Sequence, residues 1–384
     1  MLYWEVLDYL EDMSWAFVRE FIPPYLCSAA CHAFNIFNYS KDIYHEHGHI
    51  TDMRLHMFFI SSPGFSKSSV LKMLLDGPTS IFYGTKIQTA FMAILTEAAF
   101  TGTIRVVDGE VQEVPGAAKE YRTSIVGVEE FDALIKMMQQ EHSGNLDNAL
   151  LTALDNGWVR KRLAAGPISY MTHLTLWAAS QPLRFDLTSG LARRFMFIYF
   201  IPDKEAQQEI REKRREGSNV RPDRDRLNKI KDAIDTKYEK LRDVIRIEFD
   251  DSVRSLIDRL NIPHYEEPLY ERLALGYNIS AYDFDREITV TLDNELRRLI
   301  EKAYLWRKQV KIGADYSQIL VLLSDEKPVP HEEILEQMLT FGVPYDQSSQ
   351  LINRMIKAKM IVKIIKEGKI WYKIHPSIAA AFSL

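Results

Sequence analysis

The chain lacks most of what would mark an exported or membrane-bound protein. Cys27 and Cys31 are its only 2 cysteines in 384 residues, and they sit four apart in a helix-like stretch. A disulfide framework is thereby excluded, a reducing compartment is expected, and both thiols read as core residues. No basic region followed by an apolar core opens the chain. Glu5, Asp8, Glu11 and Asp12 stand there instead, and no apolar run approaches membrane-spanning length. A cytoplasmic location is expected. Low-complexity tracts and internal repeats are missing too, while 46% hydrophobic and 26% charged residues are ordinary for a folded chain of two or three compact units. Excess positive charge is likewise absent. A net charge of −5 excludes a protein that coats nucleic acid uniformly, although local basic surfaces can coexist with it. The run His45-Glu46-His47-Gly48-His49 has no matching ligand cluster elsewhere, so no metal centre is expected there.

What is present begins with aromatic-rich helices. Trp4, Leu7 and Leu10, then Phe17, Val18 and Phe21, recur at helical spacing before Pro23-Pro24, which is expected to break the pattern. From Arg54 the pattern becomes a short apolar strand, Leu55 to Ile60, then a loop, then Ser69 to Leu75 at helical period. Further buried strands are expected at Ser124 to Val128, His173 to Ala179 and Phe195 to Phe200. Strands separated by helical stretches predict a parallel α/β sheet that binds its ligand at the strand C-terminal ends. Past Pro202 the chain turns strongly charged and reads as a mainly helical unit. At the end come helices Tyr316 to Leu323, Glu332 to Thr340 and Gln347 to Ala358. Strands Met360 to Ile365 and Lys369 to Ile374 follow, joined by Glu367-Gly368, which together predict a winged helix-turn-helix. The expected units are a helical lead-in over 1–53, an α/β core over 54–203, a helical lid over 204–312 and the winged helix over 313–384.

The chemistry is carried by Ser62-Pro63-Gly64-Phe65-Ser66-Lys67-Ser68, with Ser69 continuing the helix. A phosphate-binding loop needs backbone amides at a helix N-terminus, a lysine for the β- and γ-phosphates and a hydroxyl on Mg²⁺. Gly64, Lys67 and Ser68 supply these for ATP, although Ser61 and Ser66 stand where the strict motif has glycines. Glu129-Glu130 follow an apolar strand, where one carboxylate can hold the Mg²⁺ shell and the next can polarise the attacking water. Gln181, beyond the third strand, is an amide able to orient that water. Arg193 and Arg194 precede the fourth strand, where an arginine at a subunit edge can reach the γ-phosphate of a neighbour.

These segments resemble the minichromosome-maintenance (MCM) helicases, a family of AAA+ P-loop ATPases. Ser62 to Ser68 is similar to that family's Walker A, which also carries a small non-glycine residue before its lysine. Val128-Glu129-Glu130-Phe131-Asp132 resembles its Walker B, Ala178-Ala179-Ser180-Gln181-Pro182 its sensor 1, and Arg193-Arg194-Phe195 its arginine-finger segment. The resemblance implies Glu130 as catalytic acid, Gln181 as sensor, Arg194 as an arginine finger acting in trans, and Arg272 as a second sensor beside the nucleotide. Glu129 and Gln181 are each one methylene longer than the family's Asp and Asn, which implies slow hydrolysis or ATP binding alone. Residues 1–53 are too few for the family's N-terminal oligonucleotide-binding domain, so the resemblance implies a member without it.

Two segments are expected to touch DNA. Trp158 to Pro167 matches the position of the family's pore hairpin, with Arg160, Lys161 and Arg162 at its centre and Lys161 as the leading contact. Gly102 to Val111, which alternates around Asp108-Gly109, reads as a second hairpin matching the helix-2 insertion. The C-terminal hairpin, with Lys369 among its lysines, suits either DNA phosphates or a protein partner. Three readings stand: an ATP-driven DNA helicase or replication initiator in a homo- or hetero-oligomeric ring such as a hexamer, a non-motor switch that recruits a partner protein to DNA, and an inactive scaffold.

Overall fold

The structure is a computed structural model that describes residues 2–39, 44–45, 52–61, 67–92, 96–107, 110–129, 131, 146–164, 166–180, 192–200, 202, 204–217, 219–312, 319, 322–323, 327–340, 343–357 and 361–375. Helices α1 (Leu2–Asp12) and α2 (Val18–Asn38) come first, then strands β1 (Tyr44–His45) and β2 (His56–Ser61). Next are α3 (Lys67–Leu75), β3 (Gln88–Met92), α4 (Glu97–Thr101), β4 (Thr103–Val107), β5 (Glu110–Val114), α5 (Ala117–Glu120) and β6 (Ser124–Val128). The middle of the chain supplies α6 (Leu146–Asp155), β7 (Trp158–Leu163), β8 (Gly166–Met171), β9 (Thr175–Ser180) and β10 (Phe195–Phe200). Beyond them lie α7 (Lys204–Gly217), α8 (Arg224–Glu239), β11 (Arg246–Phe249), α9 (Asp251–Arg259), α10 (Glu267–Ala281), β12 (Glu287–Val290) and α11 (Asn294–Ile312). The C-terminal elements are β13 (Val329–Pro330), α12 (His331–Thr340), α13 (Tyr345–Lys357), β14 (Ile361–Lys366) and β15 (Lys369–Ile374).

The fold is α/β. Its centre is a 5-stranded sheet in the order β10-β2-β9-β6-β3, every neighbouring pair parallel. β2, β6 and β9 are buried along their whole length, as the unbroken apolar runs predict for strands covered on both faces. The expected strands match β2, β6, β9 and β10 to within a residue or two at each end. β3 carries no comparable apolar run and is half-exposed at the sheet edge.

Pro23-Pro24 do not end a helix. Both lie buried inside α2, which continues to Asn38. The lost backbone bonds are outweighed by the helix's surroundings. Phe21 packs on Phe59 and Phe200 with ring centres 5.2 and 4.7 Å apart, and Tyr25 meets Trp177 at 4.8 Å. Trp177 donates from Nε1 to the Ser28 hydroxyl at 2.7 Å, and Ser28 donates onward to the Leu55 carbonyl at 2.5 Å. Cys27 and Cys31 are free and buried on the same helix, facing α10. Phe58 points to the other face of the sheet and packs with Phe131, Phe195 and Phe197.

One hydrophobic core runs from Leu2 to Val310 and takes in the first two helices, the sheet and the segment after Pro202. The segment after Pro202 is also less purely helical than its composition predicts. β11 pairs in parallel with β1 on one side and β12 on the other, in a separate 3-stranded sheet that ties residues 44–45 to that segment. A second, independent core joins Ile319, Leu323, α12, α13 and the β14–β15 hairpin. The expected helix Tyr316 to Leu323 lies mostly outside the described residues, as does the histidine run apart from the backbone of His45. Among the described residues no helix is long and apolar enough to cross a membrane.

Two constraints can be measured directly. A methyl group added at Gly276 on α10 would fall within contact distance of the Cys27 carbonyl of α2, so Gly276→Ala is expected to destabilise by about 1–3 kcal/mol, read from urea denaturation. His32 and His56 are fully enclosed, and burial pushes both imidazoles down to about 3. The unfolded chain takes up protons near pH 6.5 that the folded one refuses. This contribution is complete above about pH 6.5 and is lost as pH falls toward about 3, by up to about 1.4 kcal/mol per unit for each histidine. The urea midpoint should therefore drop between about pH 7 and about pH 5, before carboxylates titrate; a flat midpoint across that interval would contradict the burial.

Candidate functional site

Four strands of the sheet end along one edge. Ile60 pairs with Ser180, Ser61 with Phe200, and Val128 with Ala178. Whatever follows Ser61, Val128 and Ser180 therefore leaves the sheet at its C-terminal edge, the side on which open parallel sheets take ligands. α3 starts from this edge, after β2, and packs against β2, β3, β6 and β9. Its apolar positions Val70, Leu71, Leu74 and Leu75 are buried, which fixes the helix on the sheet. Lys67, Ser68 and Ser69 form its first turn and are half-buried. The leading amides of a helix have no internal partner and carry the positive end of its dipole, so this turn suits an anion. The loop Ser62, Pro63, Gly64, Phe65 and Ser66 lies outside the described residues.

Ser61 closes β2 and is fully buried, and its hydroxyl has no hydrogen-bond partner among the described residues. Leaving such a group unmatched costs about 1–3 kcal/mol, a debt expected where a polar ligand or loop completes the surroundings. Glu129 leaves β6 at the same edge. Its carboxylate lies 3.3 Å from the Lys72 ammonium, with side-chain exposures of 29% and 52%. That carboxylate oxygen has no aligned hydrogen bond, so the contact is charge on charge. Lys72 is about 7.5 Å of helix axis beyond Lys67, which brings Glu129 alongside the first turns of α3. An anion-seeking turn, a lysine, the Ser68 hydroxyl and a carboxylate at the tip of β6, one strand beyond β9, are the groups that could hold a Mg²⁺-bound nucleoside triphosphate. Glu130 and Gln181, expected to act on water, lie outside the described residues.

Arg194 and Arg272 are not brought to this edge. Phe195, next after Arg194, pairs with His56, the first residue of β2, so Arg194 stands at the N-terminal edge. There its guanidinium approaches the Asp155 carboxylate at the end of α6 to 3.1 Å, with a side chain only 9% exposed. Burial pushes its pKa down, and Asp155 opposes that shift. Arg272 donates to the Arg54 carbonyl just before β2, at 3.1 Å, and its own carbonyl accepts from Cys31 Sγ at 3.0 Å. A strand of this length is about 20 Å long, so neither arginine can serve the Lys67 edge of its own chain.

Both expected hairpins are present, β4–β5 and β7–β8. Lys161, expected as the leading DNA contact, lies on the inner face of its hairpin. Strand alternation turns it back onto Glu97 of α4, with a 3.2 Å ion pair and 18% exposure, whereas Arg160 and Arg162 face solvent. Lys369 is exposed directly after the turn Glu367-Gly368, whose φ values of 55° and 76° are those of a type I′ hairpin. Sequence reasoning missed Lys72 and Asp155, which the fold pairs with Glu129 and Arg194. Neither belongs to a recognisable motif. Comparison of the chain with protein-family models gives no match, and comparison with curated proteins gives none either.

The Lys72–Glu129 pair is half-exposed, so Lys72→Met should shift the urea midpoint by less than about 1 kcal/mol. With Glu129 released, the same variant should bind a fluorescent ATP analogue at lower Mg²⁺ concentration than wild type. An unchanged Mg²⁺ dependence would place Glu129 outside the metal shell.

Proposed function

We propose that the chain is an ATPase of the AAA+ P-loop type that acts on DNA, as a ring-forming helicase or replication initiator resembling the MCM proteins. The observation that carries this reading is the split of the site residues between two edges of one parallel sheet. Lys67, Ser68 and Glu129 lie with the C-terminal ends of the strands, and Arg194 stands at the opposite edge, out of reach of the Lys67 edge of its own chain. Strand order agrees: β9 lies between β2 and β6, so Gln181 follows the strand flanked by the loop-bearing and acid-bearing strands.

In this reading Lys67 and the first amides of α3 hold the β- and γ-phosphates, and the Ser68 hydroxyl and Glu129 hold the Mg²⁺ shell. Mg²⁺, when bound, draws charge off the phosphates. Glu130 takes the proton of the attacking water, Gln181 orients that water, and Arg194 supplies positive charge to a neighbour's γ-phosphate. The hairpin β7–β8 faces DNA. The C-terminal unit, with α12 and α13 preceding the lysine-bearing β14–β15 hairpin, is read as a winged helix that meets DNA or a partner protein.

One observation favours the slower alternative, a non-motor switch that recruits a partner. Both Glu129 and Arg194 are engaged by in-chain partners, Lys72 and Asp155, and these contacts must be exchanged before each turnover. Steady-state ATPase assays separate the readings. Wild type should hydrolyse ATP faster with single-stranded DNA, Lys67→Ala should lose nucleotide binding, and Arg194→Ala should lower kcat by about 10³-fold. Mixing Arg194→Ala with Glu130→Gln subunits should restore part of the rate. Absent turnover together with unchanged nucleotide affinity in Lys67→Ala would overturn the enzyme reading, and turnover without DNA stimulation would favour the switch.

A further inference from the structure

The entry to β10 is held by a buried ion pair that no part of the proposed chemistry uses. β10 ends the sheet, and α11 packs along it. Arg307 of α11 donates from Nη1 to the carbonyl of Phe195, the first residue of that strand, at 2.9 Å, and its guanidinium carbon lies 5.5 Å from the centre of the Phe197 ring. Its Nε lies 2.7 Å from the Glu266 carboxylate, and the two side chains are 4% and 3% exposed. Glu266 immediately precedes α10, where the positive end of the helix dipole suits a carboxylate. Further along α10, Arg272 donates to the Arg54 carbonyl ahead of β2 at 3.1 Å. Helices α10 and α11 thus grip the entries of two neighbouring strands.

We propose that Arg307 and Glu266 are positioning residues for Arg194, fixing the backbone from which that arginine is offered to a neighbouring subunit. The proposal rests on the reading of Arg194 as an arginine that acts in trans. A buried ion pair is weak evidence for stability, because apolar side chains of similar volume often serve a core as well or better. What this pair adds is direction. A planar guanidinium meets a carbonyl and a carboxylate at once in fixed geometry, which neither a lysine nor an apolar side chain can do. The carbonyl it meets belongs to the residue after Arg194, whose own side chain approaches Asp155 to 3.1 Å. Backbone and side chain at this position are therefore held separately, the first by helices that follow Pro202 and the second by α6. Charge on a transferring phosphoryl group is stabilised by a group already in place, and a displacement of about 1 Å can cost about 10²-fold in rate. Loss of the Arg307 contact should consequently be felt at a neighbour's site and not at the Lys67 edge of the same chain.

The test compares the full chain with Arg307→Lys and with the double variant Arg307→Met/Glu266→Leu, which leaves neither charge of the pair buried alone and should unfold near the wild-type urea midpoint. Both variants should lower the steady-state kcat by about 10- to 100-fold and change the affinity for a fluorescent ATP analogue by less than about 2-fold. In an Arg194→Ala background neither should lower kcat by more than a further factor of about 2. Mixing either variant with Glu130→Gln subunits should restore part of the rate, because those subunits bring an intact Arg194 to the variant's site; a defect in the variant's own site would not be relieved. Affinity that falls together with kcat, losses that add to that of Arg194→Ala, or no rescue where Arg194→Ala is rescued would overturn the proposal. A second readout is independent of turnover. Phenylglyoxal labels accessible guanidinium groups, and peptide mass spectrometry should find Arg194 labelled about 5-fold faster in the double variant than in wild type. Unchanged labelling of Arg194 in the folded double variant would overturn the proposal whether or not the chain hydrolyses ATP, whereas faster labelling in a chain without turnover would show that the ATPase reading had failed and the positioning had not.

Discussion

The buried guanidinium of Arg54 is the constraint on which the working parts of the molecule depend. It is 1% exposed and is held by Asp52 through bonds of 2.9 and 2.5 Å, while it donates to the carbonyls of Leu174 and Ala153 at 2.8 and 3.0 Å. Burial raises the Asp52 carboxyl, but the adjoining guanidinium outweighs that and keeps its pKa below the usual range. Such a pair adds little net stability over an apolar substitute, yet losing one partner costs about 3–5 kcal/mol because a charge is left buried. Its role here is geometric. Three segments distant in sequence, the entries to β2 and β9 and the end of α6, are fastened to one side chain.

His56 repeats the arrangement two residues later, at the start of β2. Its Nδ1 accepts from the Leu176 amide and its Nε2 lies 3.0 Å from the Leu154 carbonyl, so it bridges β9 and α6 as a neutral ring. With Arg194 on Asp155, three successive residues at the C-terminus of α6 are met by groups from the N-terminal edge of the sheet. Positive groups there also suit the negative end of the helix dipole. The β7–β8 hairpin begins within three residues of that anchored terminus. Arg194, the candidate trans arginine, and the root of the β7–β8 hairpin are thus fixed to the same short stretch of helix.

Much of the core was legible in the chain itself. Unbroken apolar runs such as Phe195 to Phe200 sit in parallel strands covered on both faces, and no turn-forming residue interrupts them. Both insert hairpins and the terminal hairpin follow from alternation around turns, Asp108-Gly109 and Glu367-Gly368 among them. β3, β11 and β12 were not legible, because short edge strands with mixed polarity carry no periodic signal strong enough to separate them from loops. Pro23-Pro24 misled for a related reason: the propensity of a proline is local, while the burial that overrides it comes from α10 and the sheet. The orientation of Lys161 was present but unread. Val159 and Leu163 flank it with apolar side chains that mark its face of the strand as the inner one.

The sequence by itself determined the order of strands and helices, the place of Lys67 at the start of a helix behind a buried strand, and the acids at the tip of another. Periodicity and turn chemistry act over a few residues, and a single chain displays them completely. Which residues share an edge was decided only by the tertiary structure. Parallel pairing put Lys67 and Glu129 on one side of the sheet and Arg194 and Arg272 on the other, and close packing gave Glu129, Lys161 and Arg194 the partners Lys72, Glu97 and Asp155. Those partners are 57, 64 and 39 residues away in sequence, as the numbering shows, and no pattern of spacing encodes a contact that exists only once the sheet has formed.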